Sequence, residues 1–280
     1  LAKTFGNFND NVNIFPNQFD WDLPQWNYDK NEVRKEMLGD WFPTDDKIIV
    51  GWAGLTSHFE DIKRMAPIMK AIHDKYPNTY FVLAGMALKD TAVEITEDEK
   101  GNKKFEEKEI EDKSQTYKGR IEALFADIDP NRMKIFDALP LEEYGKFYAL
   151  YDISMAYIEH NAFASCKSEI KVVESAHYGC IPVFSNFGGY KSMAEKVPSS
   201  ISLKGFSIDF TTPKAWINAI SSHIDNYDET KKRAAEFKEW SDNNYNINNH
   251  TEERLSFYLK NAEEFQEDWY NENIAQNMDY

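Results

Sequence analysis

Five short apolar runs, the first four each followed by a stretch of helical spacing, constrain this chain to a parallel sheet covered by helices. The first run, Lys47-Ile48-Ile49-Val50-Gly51-Trp52-Ala53-Gly54, shows no polar alternation and stops at glycine, as a strand buried on both faces does. Ser57, with Glu60 three residues on, gives a capping-box signal. Phe59, Ile62, Ala66, Met69 and Ile72 or His73 then recur at helical spacing, and Pro77 and Asn78 end the helix. The second run is Tyr80-Phe81-Val82-Leu83-Ala84-Gly85. Met133-Lys134-Ile135-Phe136-Asp137 predicts a third strand, Tyr151-Asp152-Ile153-Ser154-Met155-Ala156-Tyr157 a fourth, and Ile181-Pro182-Val183-Phe184-Ser185 a fifth. Helices are expected over 117–128, 141–150 and 168–178, and Ile201-Ser202-Leu203 is expected to add a sixth strand. Such alternation implies an α/β fold with a doubly wound parallel sheet. Ligands of such sheets lie outside the strand carboxyl ends. Here that edge carries the loops beginning at Ala53, Gly85, Asp137, Glu159 and Ser185.

The rest of the chain departs from this alternation. Residues 1–46 are rich in Asn, Asp, Trp and Phe, carry Pro16, Pro24 and Pro43, and show no sustained period; they read as an irregular linker. A charged insertion at 90–113 interrupts the domain of 47–212. Within it Val93-Glu94-Ile95-Thr96 and Lys104-Phe105-Glu106 flank Lys100-Gly101-Asn102, as in a hairpin. Residues 213–280 read as helices only, the last near 251–270 with Leu255, Phe257, Tyr258 and Phe265 on its apolar face.

Composition removes several classes of function. A net charge of -16 repels phosphate backbones and anionic lipid, so no nucleic-acid partner is expected. Two cysteines, Cys166 and Cys180, are too few for a disulfide framework, and no Cys/His set has zinc spacing. No apolar run spans a bilayer and no signal peptide opens the chain, so a cytoplasmic protein is expected. The chain begins at Leu1 rather than Met, as a truncated or processed protein would.

The most informative segment is Lys167-Ser168-Glu169-Ile170-Lys171-Val172-Val173-Glu174, at the start of a helix. Lys167, Lys171 and Glu174 fall on one stripe, and Ser168 is placed to cap. Two cations at a helix N-terminus oppose the macrodipole and become favourable when an anion is bound. A diphosphate would engage the free N–H groups and both ammonium groups, and a carboxylate one turn on can accept from a ribose diol. A solvated helix face with a Lys171–Glu174 ion pair is the plainer reading, and spacing alone leaves the two level.

In the order of these motifs the chain resembles retaining GT-B glycosyltransferases, specifically their C-terminal, Rossmann-like donor-binding domain. The Lys-Ser-x-x-Lys-x-x-Glu helix, Gly179-Cys180-Ile181-Pro182-Val183, Gly188-Gly189-Tyr190, and Gly51-Trp52-Ala53-Gly54 with His58 and Asp61 carry the likeness. Val12-Asn13-Ile14-Phe15-Pro16-Asn17-Gln18-Phe19-Asp20 resembles the interdomain linker, so that 1–46 would hold that linker and a remnant of an N-terminal domain. The resemblance implies a nucleoside-diphosphate sugar donor, an acceptor not readable from the sequence, an acceptor domain or partner chain, and neither metal nor other cofactor. It implies donor contacts from Gly54, His58, Lys167, Ser168, Lys171 and Glu174, with Glu174 on the ribose. Asp137, Ala138, His160 and Gly188 are further candidates, and no catalytic residue is singled out. Two departures stand out. The first glutamate of the family's Glu-x7-Glu pattern falls at Cys166, and the first-loop Arg has no match, with His58 near the Lys position. Those departures favour a second reading, a non-catalytic interaction module. A third, such as a sugar-nucleotide epimerase, is weighed too, although no Gly-x-Gly-x-x-Gly follows a strand.

Overall fold

The computed structural model describes residues 6–8, 12–41, 47–86, 88, 91–97, 103–110, 112–209 and 212–273. In chain order the strands are β1 Ile48–Ala53, β2 Thr79–Met86, β3 Thr91–Glu97, β4 Lys103–Glu109, β5 Met133–Asp137, β6 Ile153–Ala156, β7 Ile181–Ser185 and β8 Ser207–Ile208. The α-helices are α1 Lys30–Leu38, α2 Phe59–Lys75, α3 Tyr117–Leu124, α4 Lys146–Leu150, α5 Ile170–His177, α6 Gly188–Ala194, α7 Pro213–Asp225, α8 Tyr227–Tyr245 and α9 Thr251–Asn273.

Six strands form one all-parallel sheet in the order β5-β2-β1-β6-β7-β8. The expected Rossmann-like α/β sheet is therefore present. The order reverses between β1 and β6, so the carboxyl ends of these two strands flank the switch-point crevice where ligands of doubly wound sheets bind. All residues of β1, β6 and β7 are buried, which explains their unbroken apolar runs: helices cover both faces. On α2 the buried side chains Ile62, Met65, Ala66, Met69 and Ile72 recur at helical spacing. Fully burying each of the larger ones contributes roughly 1.5–3 kcal/mol. The strands β3 and β4 pair antiparallel outside the sheet, as the hairpin reading required.

Several local expectations are corrected. The segment read as irregular contains α1, whose N-cap Asp29 accepts from the N–H groups of Asn31 and Glu32. Its pattern was hidden because only Val33 and Leu38 are buried on it. Ser57 and Ser168 do not cap: α2 follows a 3-10 turn over Thr56–His58 and has His58 at its N-cap, and α5 has Glu169 there, neither with a side-chain cap bond. The segment 141–150 divides into a 3-10 turn and α4. The sixth strand is Ser207–Ile208, not 201–203.

The chain divides into two compact units, 22–241 and 1–21 with 242–280. The sheet and its helices lie in the first. In the second, Phe19 bridges to Asn246 and stacks on Trp21. There too Phe15 packs against Phe257 and Tyr258, and Arg254 donates to the Pro16 carbonyl. The side chain of Phe265 lies outside the described residues.

At the amino edge of the sheet α1 is pinned by cations. Lys30 donates to the carbonyls of Tyr151 (2.6 Å) and Tyr178 (3.3 Å), and Arg34 donates to that of Leu150 and pairs with Asp152 at 2.8 Å. Asp152 in turn accepts the Ile49 N–H.

Candidate functional site

The carboxyl edge brings together residues far apart in the chain. After Ala53 the backbone passes Gly54, where any side chain would strike the Trp52 ring at 2.5 Å and the Lys171 ammonium at 2.8 Å. Glycine is required there by close approach. The 3-10 turn that follows delivers His58 to the start of α2, and Asp61 sits buried in that helix's first turn. Asp61 Oδ2 lies 2.6 Å from His58 Nδ1, and its Oδ1 accepts the Glu159 N–H at 3.2 Å. One carboxylate thus ties the α2 N-terminus to the loop after β6.

The opposite wall comes from the segment before α5. Lys167 has extended backbone (φ -73°, ψ 145°), which turns the chain into the helix. Its ammonium lies 3.4 Å from His58 Nδ1 and 4.0 Å from Asp61 Oδ2, above the Phe163 ring. Lys171, one helical turn further on, places Nζ 4.8 Å over the Trp52 ring and 3.5 Å from His58 Nε2. Burial lowers its pKa to about 8 against the pull of Asp61, and Lys167 lowers it further. The His58 imidazole is held by Asp61, which favours its charged form, but burial and the two lysines prevail and its pKa is lowered.

Glu174 stands behind this group. It is buried and accepts a 2.7 Å hydrogen bond from Tyr148, whose hydroxyl lies 3.2 Å from that of Tyr144. Burial raises its pKa to about 7, despite the Tyr148 hydrogen bond and the Lys171 charge, both of which lower it. The carboxylate's hydrogen bond is thus to Tyr148, not the Lys171 ion pair of the solvated-face alternative.

A cavity of about 370 Å³ opens beside these groups, lined by Gly54, His58, Ala138, Leu139, Tyr144 and Lys171 among others. Leu55 and Leu141 also line it, and both are largely exposed. A larger hollow of about 840 Å³ lies at the amino edge among Lys30, Arg34, Asp152 and Lys231, and the Gly54 cavity is the smaller of these two.

The remaining candidates scatter around this core. The Ala138 N–H is shared between Met86 O and the Asp137 side chain, so only its carbonyl is left to read a base. Asp137 is exposed and does not line the cavity. His160 stacks on Phe187 at 4.2 Å, and Gly188 (φ +55°) opens α6 against the Ala164 carbonyl. Ser168 makes no cap. Cys166 is an exposed free thiol and Cys180 a buried one. Among the described residues no cluster of His, Cys, Asp and Glu could hold a metal ion, and no helix is long and apolar enough to cross a membrane. The Tyr144–Tyr148–Glu174 chain was not anticipated. Its only sequence signal is two tyrosines four residues apart, which share a helical face.

No family model and no curated protein matches the chain. Its fold, however, recurs in solved structures. A glycosyltransferase from Rickettsia africae aligns with TM-score 0.60 at 13% identity, over 92% of this chain and 60% of that one. The catalytic domain of starch synthase IV from Arabidopsis thaliana, bound to ADP and acarbose, gives 0.57 at 13%, over 92% and 50%. Anabaena HepE, in complex with UDP and glucose, gives 0.55 at 16%, over 89% and 55%. The chain therefore spans 50–60% of these structures' length. The sheet is Rossmann-like, and more particularly the chain has the fold of one Rossmann-like half of the GT-B glycosyltransferases.

Proposed function

We propose that this chain binds a nucleoside-diphosphate sugar as the donor half of a retaining glycosyltransferase. The observation that carries the reading is the convergence of Lys167, Lys171 and His58 within 3.5 Å beside Gly54, at the crevice between β1 and β6. Three nitrogen-bearing side chains crowd one point on a protein of charge -16. A diphosphate resolves that crowding by accepting charge-assisted hydrogen bonds from all three. The adjoining cavity, with its Leu55, Leu139, Leu141 and Phe147 walls, suits the apolar faces of a nucleoside. Two ammonium groups neutralise the leaving diphosphate without a metal. The solved relatives in fold hold UDP with glucose, or ADP with acarbose, in keeping with such a ligand. The acceptor would be presented by a second domain or a partner chain. The test is calorimetric titration with UDP-, ADP- and GDP-sugars. Binding that is lost in Lys167→Ala/Lys171→Ala supports the reading, and failure of every nucleotide sugar to bind at millimolar concentration removes it.

A second reading, a non-catalytic interaction module, is favoured by one observation: an exposed Cys166 stands where the resemblance expects the first glutamate. The same titration separates the two, since a module that has kept only its packing surfaces binds no nucleotide sugar.

A further inference from the structure

We propose that His58 takes up a proton when the donor diphosphate binds, so that donor affinity is set by pH through this imidazole; the inference rests on the donor-site reading above. The geometry supplies the reason. Asp61 lies 2.6 Å from Nδ1, so that nitrogen carries the hydrogen and donates to the carboxylate. Nε2 then holds a lone pair, which faces Lys171 Nζ at 3.5 Å. In the empty site a neutral ring is the consistent choice, because it accepts from one ammonium and avoids adding a third positive charge. A diphosphate inverts that balance. Its oxygens would meet a lone pair at Nε2, which repels them, whereas a protonated Nε2 donates. Asp61 is already placed to hold the resulting imidazolium on its other side.

Each charged group facing the ring enters the account. Asp61 faces it from α2, and Lys167 and Lys171 face it from the start of α5. Trp52 of β1 meets it edge-on at 5.9 Å between centroids and does not titrate. Glu159, in the loop after β6, turns its carboxylate toward Arg64 and Tyr157, and only its N–H touches Asp61. The lowered pKa of the free ring agrees with this geometry. Lys171, with a pKa of about 8, is already mostly charged at pH 7 and leaves little uptake to compete.

The experiment is calorimetry at pH 7 with UDP-glucose, ADP-glucose and GDP-mannose, in two buffers of widely different ionisation enthalpy. Esterified diphosphates do not titrate near neutrality, so the probe contributes no protons of its own. The expected result is an uptake of between about one half and one proton per donor bound, with affinity falling up to about tenfold per pH unit between about 6.5 and 7.5. His58→Gln should bind more weakly with uptake near zero, and Lys171→Arg, which cannot deprotonate, should bind and keep the uptake. Wild-type binding without buffer dependence overturns the proposal even if His58→Gln fails to fold. Loss of uptake in Lys171→Arg with His58 intact assigns the proton to the lysine and also overturns it. If no nucleotide sugar binds at all, the donor reading falls first and this inference with it.

Discussion

Replacing Glu174 by Gln should stabilise the protein, and more so at pH 8 than at pH 5.5. The carboxyl is fully buried, and its pKa is raised from 4.5 to about 7, chiefly by loss of solvation. Between those two values the folded state holds a proton that the unfolded chain releases. Stability therefore falls as pH rises through this window and reaches its low plateau above 7. With one pKa unit worth about 1.36 kcal/mol, the penalty is roughly 1.4 kcal/mol at pH 5.5 and roughly 3 kcal/mol at pH 8. Glutamine keeps the shape and can still accept from Tyr148, but it cannot ionise. The gain on substitution should thus grow by about 2 kcal/mol between the two pH values, or about 4–8 °C in Tm for a domain of this size. Thermal melts of wild type and Glu174→Gln at both pH values check this, and groups common to both proteins cancel. Parallel pH dependence of the two melts would refute the reasoning, because it would mean that Glu174 is not ionising in a desolvated place. The same variant should bind nucleotide sugar about ten- to a hundredfold more weakly if the carboxylate meets the ribose, since charge-assisted hydrogen bonds contribute roughly 1.5–3 kcal/mol.

Lys171→Met removes a desolvated charge, so at pH 7 it should leave stability unchanged or raised while weakening donor binding about ten- to a hundredfold; melts and titrations on one preparation read both. Gly54→Ala drives a methyl into Trp52 and the Lys171 ammonium, and should cost about 1–3 kcal/mol of stability, measured by denaturant unfolding, as well as weakening donor binding. Arg34→Ala leaves the buried Asp152 without its ion pair and should cost about 3–5 kcal/mol, yet donor affinity of the folded fraction should not change, because the pair lies at the other edge of the sheet. Tyr148→Phe takes away the hydrogen bond that lowers the Glu174 pKa. Ionisation should then move to higher pH, which a pH series of melts against wild type would show.

How far the sequence reveals this arrangement depends on whether a residue's neighbours are local. The strands of the sheet core were legible because residues such as Ile48 to Trp52 are buried on both faces and leave an uninterrupted apolar run. The helix α2 was legible because one face alone is buried. By contrast α1 buries only Val33 and Leu38, and its Lys30 and Arg34 reach carbonyls more than a hundred residues away; polar long-range contacts leave no periodic trace. The same limit applies at the site. Spacing placed Lys167, Lys171 and Glu174 on a common stripe, but not the distance between that stripe and His58. Nor could it show that Glu174 would turn to Tyr148. Capping was misjudged at Ser57 and Ser168 because each helix starts one residue later than the serine's offset implies: a 3-10 turn over Thr56–His58 puts His58 at the N-cap of α2, and Glu169 takes that place on α5.

Two clusters of cations stand at opposite edges of one sheet, and their partners differ. At the amino edge Lys30, Arg34 and Lys231 each donate to a backbone carbonyl, at the ends of α4 and α5 or just beyond them. These carbonyls are the negative poles of helices, so the cations there complete bonds the backbone would otherwise lack. The larger cavity opens on that cluster, but its charges are already answered, and an anion entering it would meet helix C-termini. At the carboxyl edge the position is reversed. Lys167 and Lys171 stand at the positive end of α5, and among the described residues neither donates to a backbone carbonyl; both lie within 3.5 Å of the His58 ring, and Asp61 is 4.0 Å from Lys167. Burial has lowered the pKa of Lys171 to about 8, so its charged form is held at a cost at neutral pH. Under the donor reading proposed above, a dianionic ligand at the switch point of the sheet would offset that cost. On that reading the smaller cavity, not the larger, is where a donor would bind.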